Sequence, residues 1–219
     1  MNTKPILFSA EMVRAILAGT KTQTRRVIVP QIERIEELIY QRRKSGTIDE
    51  FTFLEFIKKC KYGQIGDLLW VRETWKCEEL DSSGLDGVRF AADGAFIEIE
   101  NTISASNAWM EANRPGGKWR PSIFMPRWAS RINLEITGVR VDRVQHISRE
   151  DAKAEGGSNI WSWDGKKPAK YHRRGVLNPY VANYSVLWDE INAERGFGWD
   201  MNPWVYVIEF ERAEVRDAL

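Results

Sequence analysis

The sequence predicts a protein of the α+β class, in which helices and short strands follow one another without a regular repeat. Hydrophobic residues make up 43% of the 219 residues, enough to build a sizeable core. Helical periodicity behind a polar cap occurs at residues 9–18, 148–155 and 179–194. Strand-like alternation occurs at residues 68–75 and 132–141.

The first elements are a strand at residues 5–8 and a helix that begins after Ser9. A serine at this position caps the helix by accepting a hydrogen bond from its first turn, and Gly19 favours the left-handed conformation that ends it. A further strand is expected at residues 27–29. The stretch from Gly19 to that strand therefore directly follows a helix end.

Residues 20–26 concentrate polar groups that can do chemistry. They contain Lys21, Arg25, Arg26 and three threonine hydroxyls, of which Thr24 lies three residues after the lysine. A lysine beside hydroxyls can support nucleophilic chemistry without histidine or cysteine, and paired arginines favour an anionic or planar polar ligand. The alternative is a solvated loop without a catalytic role.

The strand over residues 68–75 carries a second candidate, Glu73. Alternation places Glu73 on the same face as Leu69, Val71 and Trp75. If that face is covered, burial raises the pKa of the carboxyl group and suits it to donate a proton. The alternative is a structural ion pair between Glu73 and an arginine.

Arg127, Trp128 and Arg131 precede the strand at residues 132–141 and form a third candidate. Guanidinium groups and an indole ring can together provide a wall for a base or a phosphate. The alternative is a packing contact between arginine and tryptophan at a sheet edge. Trp70, Arg72 and Trp75 are further candidates for ligand binding, because any of the tryptophans could stack on a base.

The remaining regions read as additions to one domain that spans residues 1–219. Residues 31–60 have a helical pattern and form a helical insertion. Residues 78–122, which are rich in turn residues, read as an insertion of loops and hairpins, and residues 158–178 as an exposed loop. Tyr180, Tyr184, Leu187, Trp188 and Ile191 mark the expected buried side of the last helix.

Composition excludes several classes of function. A net charge of +1 argues against a protein that binds long duplex DNA through a large excess of cations. The chain has two cysteines and two histidines, and their spacing does not match that of metal ligands, so no metal site is expected. A disulfide framework is not expected either, and the sequence implies no cofactor. The chain begins without a signal-peptide pattern and has no membrane-length apolar run, so a cytoplasmic location is expected.

The motifs, taken in order, resemble the ASCH domain family, a part of the PUA-like fold group. The family pattern is a helix followed by G-x-K, a polar residue three beyond the lysine and a basic residue two further on; the matching residues are Gly19, Lys21, Thr24 and Arg26. A strand with G-D-x-L-W-V-R-E follows, matched by residues 66–73. Residues 125–131 and 195–200 look like the corresponding parts of phage- and prophage-encoded members of the group.

The resemblance implies a small PUA-like β-barrel with flanking helices and an activity on modified nucleosides. One bacterial branch consists of metal-independent amidohydrolases that remove the acetyl group of acetylcytidine with a lysine, a threonine and a glutamate, matched here by Lys21, Thr24 and Glu73. Lys21 would act as base, Thr24 as nucleophile and Glu73 as acid. Members of that branch are typically much shorter than this chain.

Other relatives imply a non-enzymatic alternative, in which the same cleft binds a modified nucleoside, a nucleotide or single-stranded RNA. Lys21, Arg25 and Arg26 would then hold phosphate. A third alternative is a protein-interaction module in a phage context, which would be indifferent to a change at Lys21.

Overall fold

The computed structural model describes residues 1–29, 31, 57–80, 85–100, 102–113, 117–157 and 178–213. The predicted helical insertion at residues 31–60 and the predicted loop at residues 158–178 lie largely outside these ranges. The chain divides into two compact units, one formed by residues 1–18, 67–135 and 212–219, the other by residues 19–66 and 136–211.

The described part of the first unit contains two groups of paired strands and two helices. Strand β1 (Thr3–Leu7) runs parallel to β3 (Leu68–Arg72), which pairs in antiparallel fashion with residues 133–135 of β7 (Asn133–Arg143). A separate antiparallel sheet has the order β4 (Trp75–Leu80), β5 (Leu85–Phe90), β6 (Phe96–Glu98). The helices are α1 (Ala10–Leu17) and α2 (Ile103–Asn113).

The core of the first unit lies against the hairpin sheet. Buried side chains of β4, β5 and α2 pack with Trp75, which is 0% exposed. They are joined by Met125, which follows a 3₁₀ turn (Ser122–Phe124), and by Ala129 of a second 3₁₀ turn (Arg127–Ala129). The expected hairpins within residues 78–122 are present, but helix α2 was not predicted. Trp109 is its one buried residue, and the half-buried Ala105 and Ala112 give only a weak apolar periodicity.

The second unit is built on β2 (Gln23–Val27), which pairs with β8 (Trp204–Ala213) in antiparallel fashion. Residues 136–143 of β7 lie on the other side of β8. Helices α3 (Arg149–Ala154) and α4 (Pro179–Asn192) belong to this unit, as do 3₁₀ turns at Val144–His146, Ala193–Arg195 and Trp199–Met201. Tyr184, Trp188 and Trp199 pack with apolar residues of β2 and β8.

Two expectations about the second unit were wrong. The strand expected at residues 27–29 instead spans Gln23–Val27, because pairing with β8 begins opposite Glu209, and Val29 is 60% exposed. Ile191 was expected to be buried but is 45% exposed. The buried face of α4 contains Ser185, Trp188 and Asn192. Ile191 lies beside this face and therefore projects toward solvent.

The α+β class predicted from the sequence is confirmed, with two groups of strands and several helices. The PUA-like barrel stays a prediction. None of the helices in the described ranges is both long enough and apolar enough to cross a membrane.

Candidate functional site

Lys21 is buried, with 2% of its surface exposed, so the solvated-loop alternative is wrong for this residue. Gly19, at a φ of 72°, ends the α1 region and redirects the chain, and Lys21 then forms an isolated antiparallel bridge with Glu155. The Nζ atom donates hydrogen bonds to the carbonyl of Gln23 (2.8 Å), the carbonyl of Glu155 (2.9 Å) and Oε2 of Glu155 (2.7 Å). This geometry matches a protonated ammonium group, which has three protons to donate.

Arg25 shares the carboxylate of Glu155 with Lys21. It is 4% exposed, and its Nη1 atom donates to Oε1 of Gln23 (2.6 Å) and Oε1 of Glu155 (3.4 Å). Its Nη2 atom donates to Oδ2 of Asp151 (2.8 Å), while its buried Nε has no hydrogen-bond partner within the described ranges. Two carboxylates of this chain therefore already neutralise the charge that was expected to hold an anionic ligand.

We call Lys21, Gln23, Arg25, Asp151 and Glu155 the buried polar cluster. Asp151 forms its outer side, where Oδ1 accepts hydrogen bonds from Nε2 of Gln23 (3.0 Å) and Nη2 of Arg140 (2.9 Å). Arg140 also forms an ion pair with Glu209. A continuous set of charge-assisted hydrogen bonds thus joins β2 to α3 and β8.

Burial and neighbouring charges shift the pKa values of Lys21 and Asp151 in opposing directions. Burial lowers the pKa of Lys21, the carboxylate of Glu155 raises it, and the charges of Arg26 and Arg25 lower it further. Partial burial raises the pKa of Asp151, but the hydrogen bond from Gln23 and the charges of Arg25 and Arg140 outweigh this and bring it to about 2. Burial likewise lowers the pKa of Arg26.

Thr24 and Arg26 lie on the other face of β2 from Gln23 and Arg25, since successive residues of a strand project to opposite faces. Thr24 is 3% exposed and stands opposite Ile208 of β8. The cluster therefore brings together Lys21 and Arg25 from the predicted site, while Thr24 and Arg26 occupy the opposite side of the strand.

In the first unit, Glu73 forms an ion pair with Arg131. A structural ion pair with an arginine was one of the two interpretations of Glu73 from the sequence. Its side chain is 2% exposed and accepts hydrogen bonds from Nε (2.9 Å) and Nη2 (3.0 Å) of Arg131. The same guanidinium group donates from Nη1 and Nη2 to the two carboxylate oxygens of Asp93, each at 2.9 Å. Its Cζ atom lies 4.1 Å from the centre of the Phe90 ring.

Burial raises the pKa of Glu73, and the hydrogen bonds and charge of Arg131 oppose this shift. Arg131 also lowers the pKa of Asp93 by hydrogen bonding to it. A carboxyl group that accepts from a guanidinium through both oxygens is in its ionised form. The arrangement therefore favours a structural ion pair over a protonated acid at Glu73.

The three predicted residues Arg127, Trp128 and Arg131 line one pocket of the first unit, with a volume of about 470 Å³. Trp128 is 39% exposed, whereas Trp70 and Trp75 are 8% and 0% exposed. Trp128 is therefore the one of these three tryptophans with a free ring surface. The other residues that line the pocket are Val88, Phe90, Ile97, Glu98, Ile99, Glu100, Ala105, Ala129 and Ser130.

Trp70 and Trp75 serve as packing surfaces. The guanidinium groups of Arg72 and Arg127 lie 5.0 Å and 5.9 Å from the ring centre of Trp70. Arg72 donates to the carbonyl of Met125 (2.9 Å), and Arg127 donates to Oδ1 of Asn133 (2.9 Å). Arg72 therefore packs on Trp70, while Arg127 both packs on Trp70 and lines the pocket.

Sequence reasoning missed the acidic partners of these sites. Glu155 and Asp151 complete the buried polar cluster, Asp93 completes the ion pair of Arg131, and Glu98 and Glu100 add carboxylates to the pocket. Asp151 and Asp93 had local signals, as a helix-cap position and a turn residue, but neither signal reveals a distant cationic partner.

No family model and no curated protein matches the chain. Two solved structures are similar to it at low TM-scores. An ASCH domain from Lactobacillus crispatus has a TM-score of 0.37 and 12% identity, over 96% of this chain and 79% of that one. A protein from Enterococcus faecalis has a TM-score of 0.39 and 10% identity, over 97% of this chain and 76% of that one. Similarity at this level establishes neither the fold group nor the family of the chain.

Proposed function

We propose that the first unit binds a cytidine-type modified nucleoside, with the base in the pocket beside Trp128. The observation that carries this proposal is that Arg127, Trp128 and Arg131 line one cavity together with Glu98 and Glu100. A volume of about 470 Å³ falls within the roughly 300–1,000 Å³ typical of small-molecule sites.

The chemistry of the lining suits a flat, partly polar molecule. Val88, Ile97 and Ile99 offer apolar contacts, and the part-exposed ring of Trp128 offers a stacking surface. The carboxylates of Glu98 and Glu100 can accept hydrogen bonds from an exocyclic nitrogen, as carboxylates do with the amino group of cytosine. Arg127 can donate to a carbonyl of the base or of an acyl substituent.

The test is a titration of the pure protein with cytidine and with acetylcytidine by calorimetry. Trp128→Ala removes the stacking surface and should weaken binding about tenfold or more, and Glu98→Gln should weaken it as well. Trp119→Ala is the matched control, because Trp119 is 49% exposed and does not line the pocket. Equal affinities of Trp128→Ala and the unmodified protein would refute the proposal.

A second candidate function is removal of the acyl group from the exocyclic nitrogen of such a nucleoside, without a metal. The observation that favours it is that burial lowers the pKa of Lys21, the direction that a general base requires. Lys21 would take the proton of the Thr24 hydroxyl, whose oxygen attacks the acyl carbon. The departing nitrogen would take up a proton, and water would hydrolyse the acyl-threonine.

The hydrogen bond of Lys21 to Glu155 counts against this candidate, because it stabilises the charged ammonium group. The position of Thr24 on the opposite face of β2 from Gln23 and Arg25 counts against it as well. Its test is incubation of the protein with acetylcytidine in the presence of a chelator, with cytidine release followed by chromatography. Thr24→Val keeps the side-chain shape and removes the nucleophile, so it should abolish turnover. Full activity in Thr24→Val, or no release at high protein concentration, would exclude the mechanism.

A further inference from the structure

Arg131 lines the pocket of the first unit but adds no net positive charge to it. Its guanidinium group donates two hydrogen bonds to the carboxylate of Glu73 and two to that of Asp93, at 2.9–3.0 Å. One cation that is shared by two carboxylates leaves one negative charge in excess. One face of the guanidinium group is covered as well, because its Cζ atom lies 4.1 Å from the ring centre of Phe90.

Two further carboxylates of the pocket have no cationic partner within the described ranges. Glu98 is the last residue of β6 and Glu100 lies two positions later, and both line the cavity. Neither forms an ion pair with a residue that the structure describes. Arg127 is the other cation of the lining, and it donates to the amide oxygen of Asn133 instead of to a carboxylate. Negative charge therefore exceeds positive charge around this cavity.

The ring of Trp128 provides a second attraction for positive charge. It is 39% exposed, and its packing against Trp75 at an interplanar angle of 87° fixes its orientation. The face of an indole ring carries negative partial charge and attracts cations more strongly than the other aromatic side chains do. Val88 and Ile99 line the same cavity and provide apolar contacts. A flat, positively charged ring matches all of these features.

We infer that this pocket selects a planar heteroaromatic cation, whose ring stacks on Trp128 while its positive charge lies beside Glu98 and Glu100. A pyridine-type ring nitrogen that carries a methyl group bears such a charge, whether the ring belongs to a nucleoside or to a pyridinium compound. Neutral cytidine and acetylcytidine would use the hydrogen bonds of these carboxylates but not their charge, and the excess of carboxylates repels phosphate. The inference rests on the proposed function, because it names the charge that the ligand of the same pocket carries.

The experiment is a calorimetric titration of the pure protein with two matched pairs of compounds. Nicotinamide and its cation methylated on the ring nitrogen share the ring and the amide group, and they differ in charge and in one methyl group. Cytidine and cytidine methylated on the pyridine-type ring nitrogen form the second pair. In each pair the cation should bind about tenfold more tightly than the neutral compound, and this preference should shrink as the salt concentration rises.

Charge-neutralising variants test which residues cause the preference. Glu98→Gln and Glu100→Gln should each reduce it about threefold, whereas Glu111→Gln, at an exposed position of the same unit outside the pocket lining, should not. Arg127→Gln should increase the preference, because it removes the cation of the lining that no carboxylate neutralises. Lys118→Gln, also exposed and outside the lining, is its control.

The outcomes separate this inference from the proposed function. Equal affinities within both pairs, or no binding of either cation, would overturn the inference, even if cytidine bound beside Trp128. A preference that Glu98→Gln and Glu100→Gln leave unchanged would overturn it as well. A preference in the nicotinamide pair that depends on these two residues supports the inference, even if cytidine and acetylcytidine fail to bind. A preference in the cytidine pair alone supports it and identifies a nucleoside as the source of the cation. Circular dichroism of each variant checks folding.

Discussion

Lys21 and Glu155 are 134 positions apart in the chain, yet their side-chain nitrogen and oxygen lie 2.7 Å from one another in a buried site. Glu155 is the C-cap residue of α3, and its carboxylate also forms an ion pair with Arg25. One carboxylate therefore fixes two buried cations of β2. Lys21 and Arg25, which the sequence suggested as reactive or ligand-binding groups, therefore form structural ion pairs in the second unit.

The first prediction concerns the stability of that ion pair. Lys21→Met should lower the free energy of unfolding by about 3–5 kcal/mol, because it removes one cation from a buried carboxylate. Adding Glu155→Gln should recover part of the loss. Urea denaturation measures both effects, and Lys58→Met, at an exposed lysine, is the control. A Lys21→Met variant as stable as the control would contradict the structural role.

The second prediction concerns acid stability and Asp151. Its pKa of about 2 in the folded state lies below the usual value, so its stabilisation is complete above about pH 4 and is lost as the pH falls toward 2. This contribution is roughly 2 kcal/mol, reduced by the partial exposure of the side chain. Asp151→Asn should therefore flatten the unfolding free energy between pH 4 and 2.

Urea denaturation at several pH values measures that slope. Glu150→Gln, one position earlier at an exposed site, should keep the slope of the unmodified protein. The same steep loss of stability in Asp151→Asn would mean that other carboxyl groups cause it.

The third prediction compares two buried tryptophans of one core. Nε1 of Trp109 donates a hydrogen bond to the carbonyl of Gly87 (2.7 Å), whereas Nε1 of Trp75 has no partner within the described ranges. Both changes to phenylalanine leave a cavity, but only Trp109→Phe also loses a hydrogen bond. It should therefore cost about 1 kcal/mol more than Trp75→Phe. Equal losses in urea denaturation would refute the difference.

The fourth prediction concerns thiol reactivity. Burial raises the pKa of Cys77 to about 11, and the side chain is 2% exposed. Because the thiolate is the reactive form, Cys77 should resist alkylation by iodoacetamide at pH 8 in the folded protein and react after denaturation. Peptide mass mapping identifies the modified residue. Rapid labelling of the native protein at Cys77 would contradict this environment.

Features that depend on near neighbours were predictable from the sequence. Ser9 and Ser148 cap their helices by accepting hydrogen bonds from residues three positions later, as their sequence patterns predicted. Alternation also placed Glu73 on the buried face, where it is 1% exposed. Such features follow from spacing alone, because the interacting groups lie on one element or one face.

Features that depend on distant pairing were not predictable. The partner of Lys21 lies on α3, and the second carboxylate bound to Arg131 lies 38 positions away at Asp93. Thr24 and Lys21 are close in the sequence, but the alternation of β2 sends Thr24 to the other face, and only pairing with β8 shows that a strand begins at Gln23. Charge and spacing in the sequence identified Lys21, Thr24 and Arg131 as candidates, but the contacts that define what they do come from distant parts of the chain.

The pairing of β2 with β8 also has a consequence for biosynthesis. Val27 is matched with Val205 and Gln23 with Glu209, so residues 28–203 must be synthesised after β2 before its partner strand follows. Within the described residues β8 is the strand neighbour of β2. During translation the backbone groups of Gln23–Val27 lack this partner, and unpaired strand edges of this kind are accessible to chaperones and to proteases.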